Sequence, residues 1–190
     1  MNILIIGNLG YIGPVVVNHF NQQNPKPSLY GYDIGYFTGN ETVKNGLLPE
    51  TGLKAQYYGD VRDFDTSLLK NMDAVIYLAA ISNDPMGNAF EKPTLEINQA
   101  CAVKIAAAAK KESIKSFVFA SSCSVYGLAD SSARKEESEL NPLTAYARSK
   151  VGAEKDLQPL ADANFKITCL RFATACGFSS RLRLDLVLND

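Results

Sequence analysis

The sequence predicts a doubly wound α/β fold, a parallel sheet with helices on both of its faces. Three observations carry that expectation. Six short apolar runs, β-branched or aromatic in character, alternate with longer helix-compatible segments. The first run ends in a glycine turn that opens into a helical pattern. The second ends in an aspartate about 20 residues beyond that turn.

The runs are, in order, NILIIG, SLYGYD, AQYYGD, DAVIYLAA, KSFVFASS and FKITCLRFA. Such near-continuous apolar stretches are what strands covered on both faces require. Helices are predicted between them from Ile12 to Gln22, Asp63 to Lys70, Thr94 to Glu112 and Pro142 to Ala161. Asn141 reads as the N-cap of the last, with Pro142 at its first position. The polar stretch LADSSARKEESELNP lies between the fifth strand and that helix, and a connection so long is expected to be a lid or binding loop. The closing RLRLDLVLND reads as the opening turns of a helix, with Leu184, Val187 and Leu188 on one side and no capping glycine after it. The expected organisation is therefore one domain over residues 1–180 and, over 181–190, the start of a truncated second region. Apolar surface left at that edge is expected to promote self-association.

A chain of 190 residues, 46% of them hydrophobic, supplies one well-filled core. Its formal net charge of −1, with both signs interspersed, provides no basic stripe for nucleic acid. No segment approaches the ~20 apolar residues of a membrane helix. The N-terminal apolar run lacks a basic leader and is interrupted by Gly7 and Gly10. Cys101, Cys123, Cys169 and Cys176 form no CxxC pair and are expected to be reduced core thiols. His19 is the sole histidine, so no metal site is expected. A cytoplasmic, metal-free protein is the setting that these features suit.

Gly7, Gly10 and Gly13 recur at intervals of three directly after the first strand, and the helix is expected to begin by Tyr11 or Ile12. Glycines there let backbone N–H groups approach a pyrophosphate, whose charge the helix dipole favours. The competing reading is an ordinary strand-to-helix turn. Asp33 is placed to accept hydrogen bonds from an adenosine ribose, and an acid there repels a 2′-phosphate, which favours NAD over NADP. An exposed turn aspartate is the plainer alternative. In GDVRD, Asp60 could meet an adenine amino group with Val61 against the ring, while Asp63 is suited to capping the next helix.

Tyr146 and Lys150 stand four apart, so they are neighbours on a helix. An ammonium beside a phenol stabilises the phenolate and lowers the tyrosine pKa from ~10 towards that of a useful general base. Both residues share a stripe with Ala153, Leu157 and Leu160, a packing row rather than a solvated face, although a lysine can snorkel out of such a row. Ser121 and Ser122 close the fifth strand at the edge where open α/β sheets bind ligands, and alternation lets only one of them face the cleft.

Together the glycine loop, Asp33, GDVRD, YLAA, SSCSVYG and YARSK resemble the extended short-chain dehydrogenase/reductase family, in particular its NAD-dependent nucleotide-sugar epimerases and dehydratases. The resemblance runs over essentially the whole chain and implies a Rossmann domain that binds NAD. It implies that Tyr146 is the catalytic tyrosine, Lys150 the lysine that tunes it and holds the nicotinamide ribose, and Ser122 the hydroxyl that orients the reacting sugar. It further implies that Tyr11, Ile12, Leu78, Ala79, Ala80, Ser82 and Phe172 line the cofactor, and that Cys123, Ser124 and Thr174 face the substrate. Tyr126 is implied to be structural. Asn98 is matched by an asparagine behind the active site, and a buried, backbone-bonded Asn describes it equally well.

Departures from the family pattern narrow the reading. Ile6 and Tyr77 replace a small hydroxyl residue and a histidine, and Thr174 replaces a substrate-contacting asparagine. Cys123 and Ser124 stand where the family's 4,6-dehydratases carry Asp and Glu, which disfavours dehydration. The leading expectation is epimerisation of a nucleotide-activated sugar through a keto intermediate, by a homodimer. Alternatives are a ketosugar reductase or dehydrogenase that exchanges its cofactor each cycle, and a dinucleotide-binding fragment without turnover.

Overall fold

The computed structural model describes residues 1–39, 48–82, 89–128, 132–181 and 183. Six strands, β1 (Asn2–Ile6), β2 (Ser28–Asp33), β3 (Ala55–Tyr58), β4 (Ala74–Tyr77), β5 (Ser116–Ser122) and β6 (Lys166–Phe172), form one sheet in the order β3-β2-β1-β4-β5-β6. Every neighbouring pair is parallel. All six predicted strands are present.

Alternation along β1 divides the core in two. Ile3 and Ile5 face one side, where Val17 of α1 (Gly13–Asn21) covers them together with Leu29. Leu4 and Ile6 face the other side, with Tyr77, Phe117 and Phe119 from β4 and β5. That side is covered by Ile105, Ala106 and Ala109 of α3 (Ala102–Lys111) and by Ala153 and Leu157 of α4 (Ala145–Leu157). Helices on both faces are thus required by strands that are apolar on both faces. At the sheet edge the second face of β6 is open, and Leu170 remains 39% exposed.

The connections depart from expectation in four places. The predicted helix from Asp63 to Lys70 is instead two 3-10 turns, Val61–Asp63 and Thr66–Leu69. Asp60 accepts from Arg62 N and Asp65 from Ser67 N, and these two-residue side-chain loops compete with helix propagation. Asp63 therefore lies inside a turn, and the caps are Asp60 and Asp65. The predicted cap at Asn141 with Pro142 is replaced by Thr144, whose Oγ1 accepts from Ala147 N at 3.1 Å. A residue before proline avoids helical backbone, and Asn141 N donates to Val125 O instead.

The predicted helix from Thr94 to Glu112 starts earlier, as α2 (Glu91–Leu95), and passes through a π-helical stretch, Glu96–Cys101, before α3. Within it the carbonyl of Ile97 accepts from the buried Tyr77 hydroxyl at 2.7 Å, tying the stretch to β4. The helix predicted to run to Ala161 ends at Leu157, and a 3-10 turn containing Pro159 follows. Of the cysteines only Cys101 is a core thiol; Cys169 is half-buried, and Cys123 and Cys176 are exposed. They lie on the turn after β5 and the segment after β6, at the open ends of strands. The predicted helix at the C-terminus, with Leu184, Val187 and Leu188, lies outside the described residues.

Candidate active site

Strand order reverses between β1 and β4, so the chain leaves these two strands in opposite directions and a crevice opens at their C-terminal ends. A cleft of about 550 Å³ lies there.

Its floor is the glycine loop. Gly7 adopts φ +87°, and a Cβ on it would lie 2.4 Å from the backbone nitrogen of Ala79, so only glycine brings this turn against the end of β4. Gly7, Gly10, Tyr11 and Ile12 line the cleft. Gly13 does not: a Cβ there would meet the carbonyl oxygen of Asn8 at 2.0 Å. Glycine at this position lets α1 pack against the loop. Asn8 is fully buried beneath the loop, and its Nδ2 donates to Gln56 Oε1 at 2.6 Å.

Asp33 ends β2 beside this loop. Oδ2 accepts from Leu9 N at 2.9 Å and Oδ1 from Gly35 N at 2.8 Å, so the carboxylate also fixes the loop it faces. Burial pushes its pKa up, opposed by those two backbone N–H groups. Asp60 and Val61 line the next part of the wall. The Arg62 guanidinium bound to Asp60 holds that carboxyl below its ordinary range. Leu78, Ala79, Ala80 and Ser82 continue the wall beyond β4, and Phe172 at the end of β6 and Thr174 beyond it complete the wall.

Ser122, Cys123, Ser124, Tyr146 and Lys150 converge on the same cleft. Ser122 caps the 3-10 turn Cys123–Tyr126, its Oγ accepting from Ser124 N at 3.2 Å, so its proton is still available to donate. Ser124 Oγ is enclosed and has no hydrogen-bond partner among the described residues. Ser121 also borders the cleft, but its hydroxyl donates to Glu154 at 2.5 Å, which leaves the Ser122 hydroxyl as the one not committed to that carboxylate. Lys150 is 2% exposed and does not snorkel. Its Nζ donates to Ala120 O at 2.7 Å and lies 4.7 Å from the Phe119 ring centre and 5.4 Å from that of Tyr146. Burial pulls the Lys150 ammonium down to about 7, with the nearby Glu154 charge opposing.

Two supports escaped sequence reasoning in their partners. Asn98 is fully buried; its Oδ1 accepts from Ile81 N, and its Nδ2 donates to Ile81 O and to Ser149 Oγ of α4. It joins the wall after β4 to the helix that carries Tyr146. Glu154, four residues beyond Lys150, ion-pairs with Arg171 of β6 at 2.7 Å, and Arg171 Nη1 reaches the Tyr126 hydroxyl at 2.9 Å. Tyr126 itself donates to Lys135 O, so the turn that bears Ser122 is anchored from both sides. The Glu154–Arg171 pair had no signal in the sequence, because it joins a helix to a strand that the fold brings together.

An all-parallel sheet with this strand order, a glycine turn at its reversal point and an acid ending β2 defines a nucleotide-binding domain of the Rossmann type. Comparison with known proteins narrows the class. The chain belongs to the NAD dependent epimerase/dehydratase family, whose model matches residues 3–184.

Its relatives include an uncharacterized UDP-glucose epimerase, YtcB, from Bacillus subtilis, 31% identical over all of this chain and 60% of that protein. Another is a UDP-glucose 4-epimerase from Lactobacillus helveticus, 28% identical over 95% of this chain and 53% of that protein. Among solved structures, MoeE5 in complex with UDP-glucuronic acid and NAD superposes with a TM-score of 0.82 at 25% identity, over all of this chain and 59% of that one. The chain thus spans between half and two thirds of the length of these proteins.

The cleft fits the family's cofactor. Its volume falls within the ~300–1,000 Å³ of small-molecule sites, its floor is a turn that a Cβ at Gly7 would close, and the acid at Asp33 disfavours a 2′-phosphate.

Proposed function

We propose that this chain is the cofactor-binding and catalytic part of an NAD-dependent enzyme that epimerises a nucleotide-activated sugar, most directly at C4. The carrying observation is that Tyr146, Lys150 and Ser122 open onto the same cleft as the glycine loop and Asp33. Relatives described as UDP-glucose 4-epimerases support the substrate class.

Gly7, Gly10, Tyr11 and Ile12 would hold the pyrophosphate, Asp33 the adenosine ribose, and Asp60 with Val61 the adenine. Leu78, Ala79, Ala80, Ser82 and Phe172 would line the remainder, with Lys150 at the nicotinamide ribose. When bound, NAD supplies a reversible hydride acceptor for the sugar carbon. Tyr146, as phenolate, takes the proton of the sugar hydroxyl as that carbon is oxidised, and returns it when the ketone is reduced on its other face. The sugar recovers its proton and hydride, so the reaction is redox-neutral. Lys150 lies beside the tyrosine ring and favours the phenolate when charged. Ser122 donates to the reacting oxygen, and Ser124 and Thr174 border the sugar.

Cys123 and Ser124 cannot serve as the paired carboxylic acid and carboxylate of water elimination, which favours epimerisation over dehydration. A homodimer is the expected assembly. Incubation of the chain with NAD and UDP-glucose, UDP-glucuronic acid or UDP-N-acetylglucosamine, followed by separation of the sugars, tests the reading. Conversion to a C4 epimer without net NADH change supports it. Net consumption of NADH with a ketosugar would assign a reductase instead, and NAD binding with no turnover of any sugar would assign a binding fragment.

A further inference from the structure

We propose that Arg183 is an anion ligand of the dinucleotide site, pairing with the pyrophosphate that the glycine loop cradles. The proposal rests on the dinucleotide reading of the cleft and adds a residue that comes from the far end of the chain.

Arg183 is 8% exposed and lines the cleft. Its Nη1 donates to Ser82 Oγ at 2.5 Å, and its guanidinium lies 4.9 Å from the Phe37 ring centre. Ser82 follows β4 and Phe37 follows β2, and β1 lies between those two strands. Adjacent strands are ~4.8 Å apart, so loops two strands apart are separated by about 10 Å. A guanidinium touching both bridges the loops that flank the glycine loop, in the cleft that all three line.

The segment that carries it is fastened to the same loop. The Tyr11 hydroxyl donates to Gly177 O at 2.5 Å, and Ser179 Oγ donates to Tyr11 O at 2.7 Å. Two residues earlier, Arg181 is 1% exposed, donates to Thr38 O at 3.0 Å and pairs with Glu50. The two arginines thus divide the work: Arg181 anchors the segment beneath the surface, and Arg183 faces the cleft.

Charge supplies the second argument. Asp33 and Asp60 bring two carboxylates into a cleft meant for a doubly charged pyrophosphate. Arg62 is committed to Asp60, and Lys150 lies at the tyrosine end. Arg183 stands where compensation is needed, and a planar guanidinium suits two phosphate oxygens. A ligand phosphate would take over the donor that Ser82 now occupies.

Calorimetric titration of the chain with NAD and, separately, with adenosine tests this. The parent chain should lose NAD affinity as salt is raised while adenosine affinity holds. Arg183→Gln should weaken NAD by about tenfold or more and leave adenosine unchanged, with Arg183→Lys intermediate. Equal losses for NAD and adenosine would reduce Arg183 to a packing residue and overturn the proposal. So would NAD affinity that responds neither to salt nor to Arg183→Gln. A parent chain that binds no NAD would overturn the dinucleotide reading itself, an outcome distinguishable from the others.

Discussion

Replacing Lys150 with methionine should stabilise the cofactor-free chain. The ammonium is 2% exposed, and burial lowers its pKa from 10.5 to about 7. A fall of that size corresponds to roughly 5 kcal/mol of disfavoured charge. The lost hydrogen bond to Ala120 O offsets about 1 kcal/mol of the gain, so Lys150→Met should be more stable by roughly 3–4 kcal/mol near pH 6. The sign follows from linkage. Between about 7 and 10.5 the unfolded chain binds the proton and the folded chain does not, so parental stability rises with pH through that window. Below it the penalty is complete. Urea unfolding of both chains from pH 6 to 10 should show their difference shrinking by about 1.4 kcal/mol per pH unit above neutrality. A constant difference, or a destabilised variant, would mean that the aromatic faces and the Ala120 carbonyl retain the ammonium, refuting the burial argument.

Three further outcomes are expected. Gly7→Ala must displace the backbone at Ala79 and adopt a positive φ, so it should cost at least about 2 kcal/mol by urea unfolding and abolish measurable NAD binding. Asn98→Ala leaves the backbone N–H and carbonyl of Ile81 and the Ser149 hydroxyl short of a partner; denaturation should register a loss of roughly 2–3 kcal/mol. Glu154→Gln leaves the Arg171 guanidinium without its counter-charge, and a loss of roughly 2–4 kcal/mol is expected, largely restored in the double variant Glu154→Gln/Arg171→Met.

Features that one segment dictates were legible in the sequence. Each strand announces itself through a run rich in β-branched or aromatic residues, and the Tyr146 and Lys150 spacing places both on one helix face, with Lys150 buried and Tyr146 half-buried. The glycine loop was recognisable as a turn, but the separate duty of Gly13 depends on a contact with Asn8 that periodicity does not encode. From Asp63 to Lys70 the apolar spacing of Phe64, Leu68 and Leu69 mimics a helix. Local side-chain bonds from Asp60 and Asp65 prevail there because the segment is short and each turn closes on its own. Arg183 and Ser82 are 101 residues apart, and Arg171 and Tyr126 are 45 apart; such pairs exist only after the sheet has ordered its strands.

The proposed function turns on Tyr146 acting as the base for inversion at a sugar carbon in the cleft. Proton NMR of UDP-glucose incubated with NAD and either the parent chain or Tyr146→Phe tests it most directly, with NAD affinity measured on both. The expected result is appearance of the C4 epimer with the parent chain, a rate slower by ~10²–10⁴ in Tyr146→Phe, and NAD affinity changed little. A parental rate retained by Tyr146→Phe, or no inversion by a parent chain that binds both NAD and UDP-glucose, would contradict it.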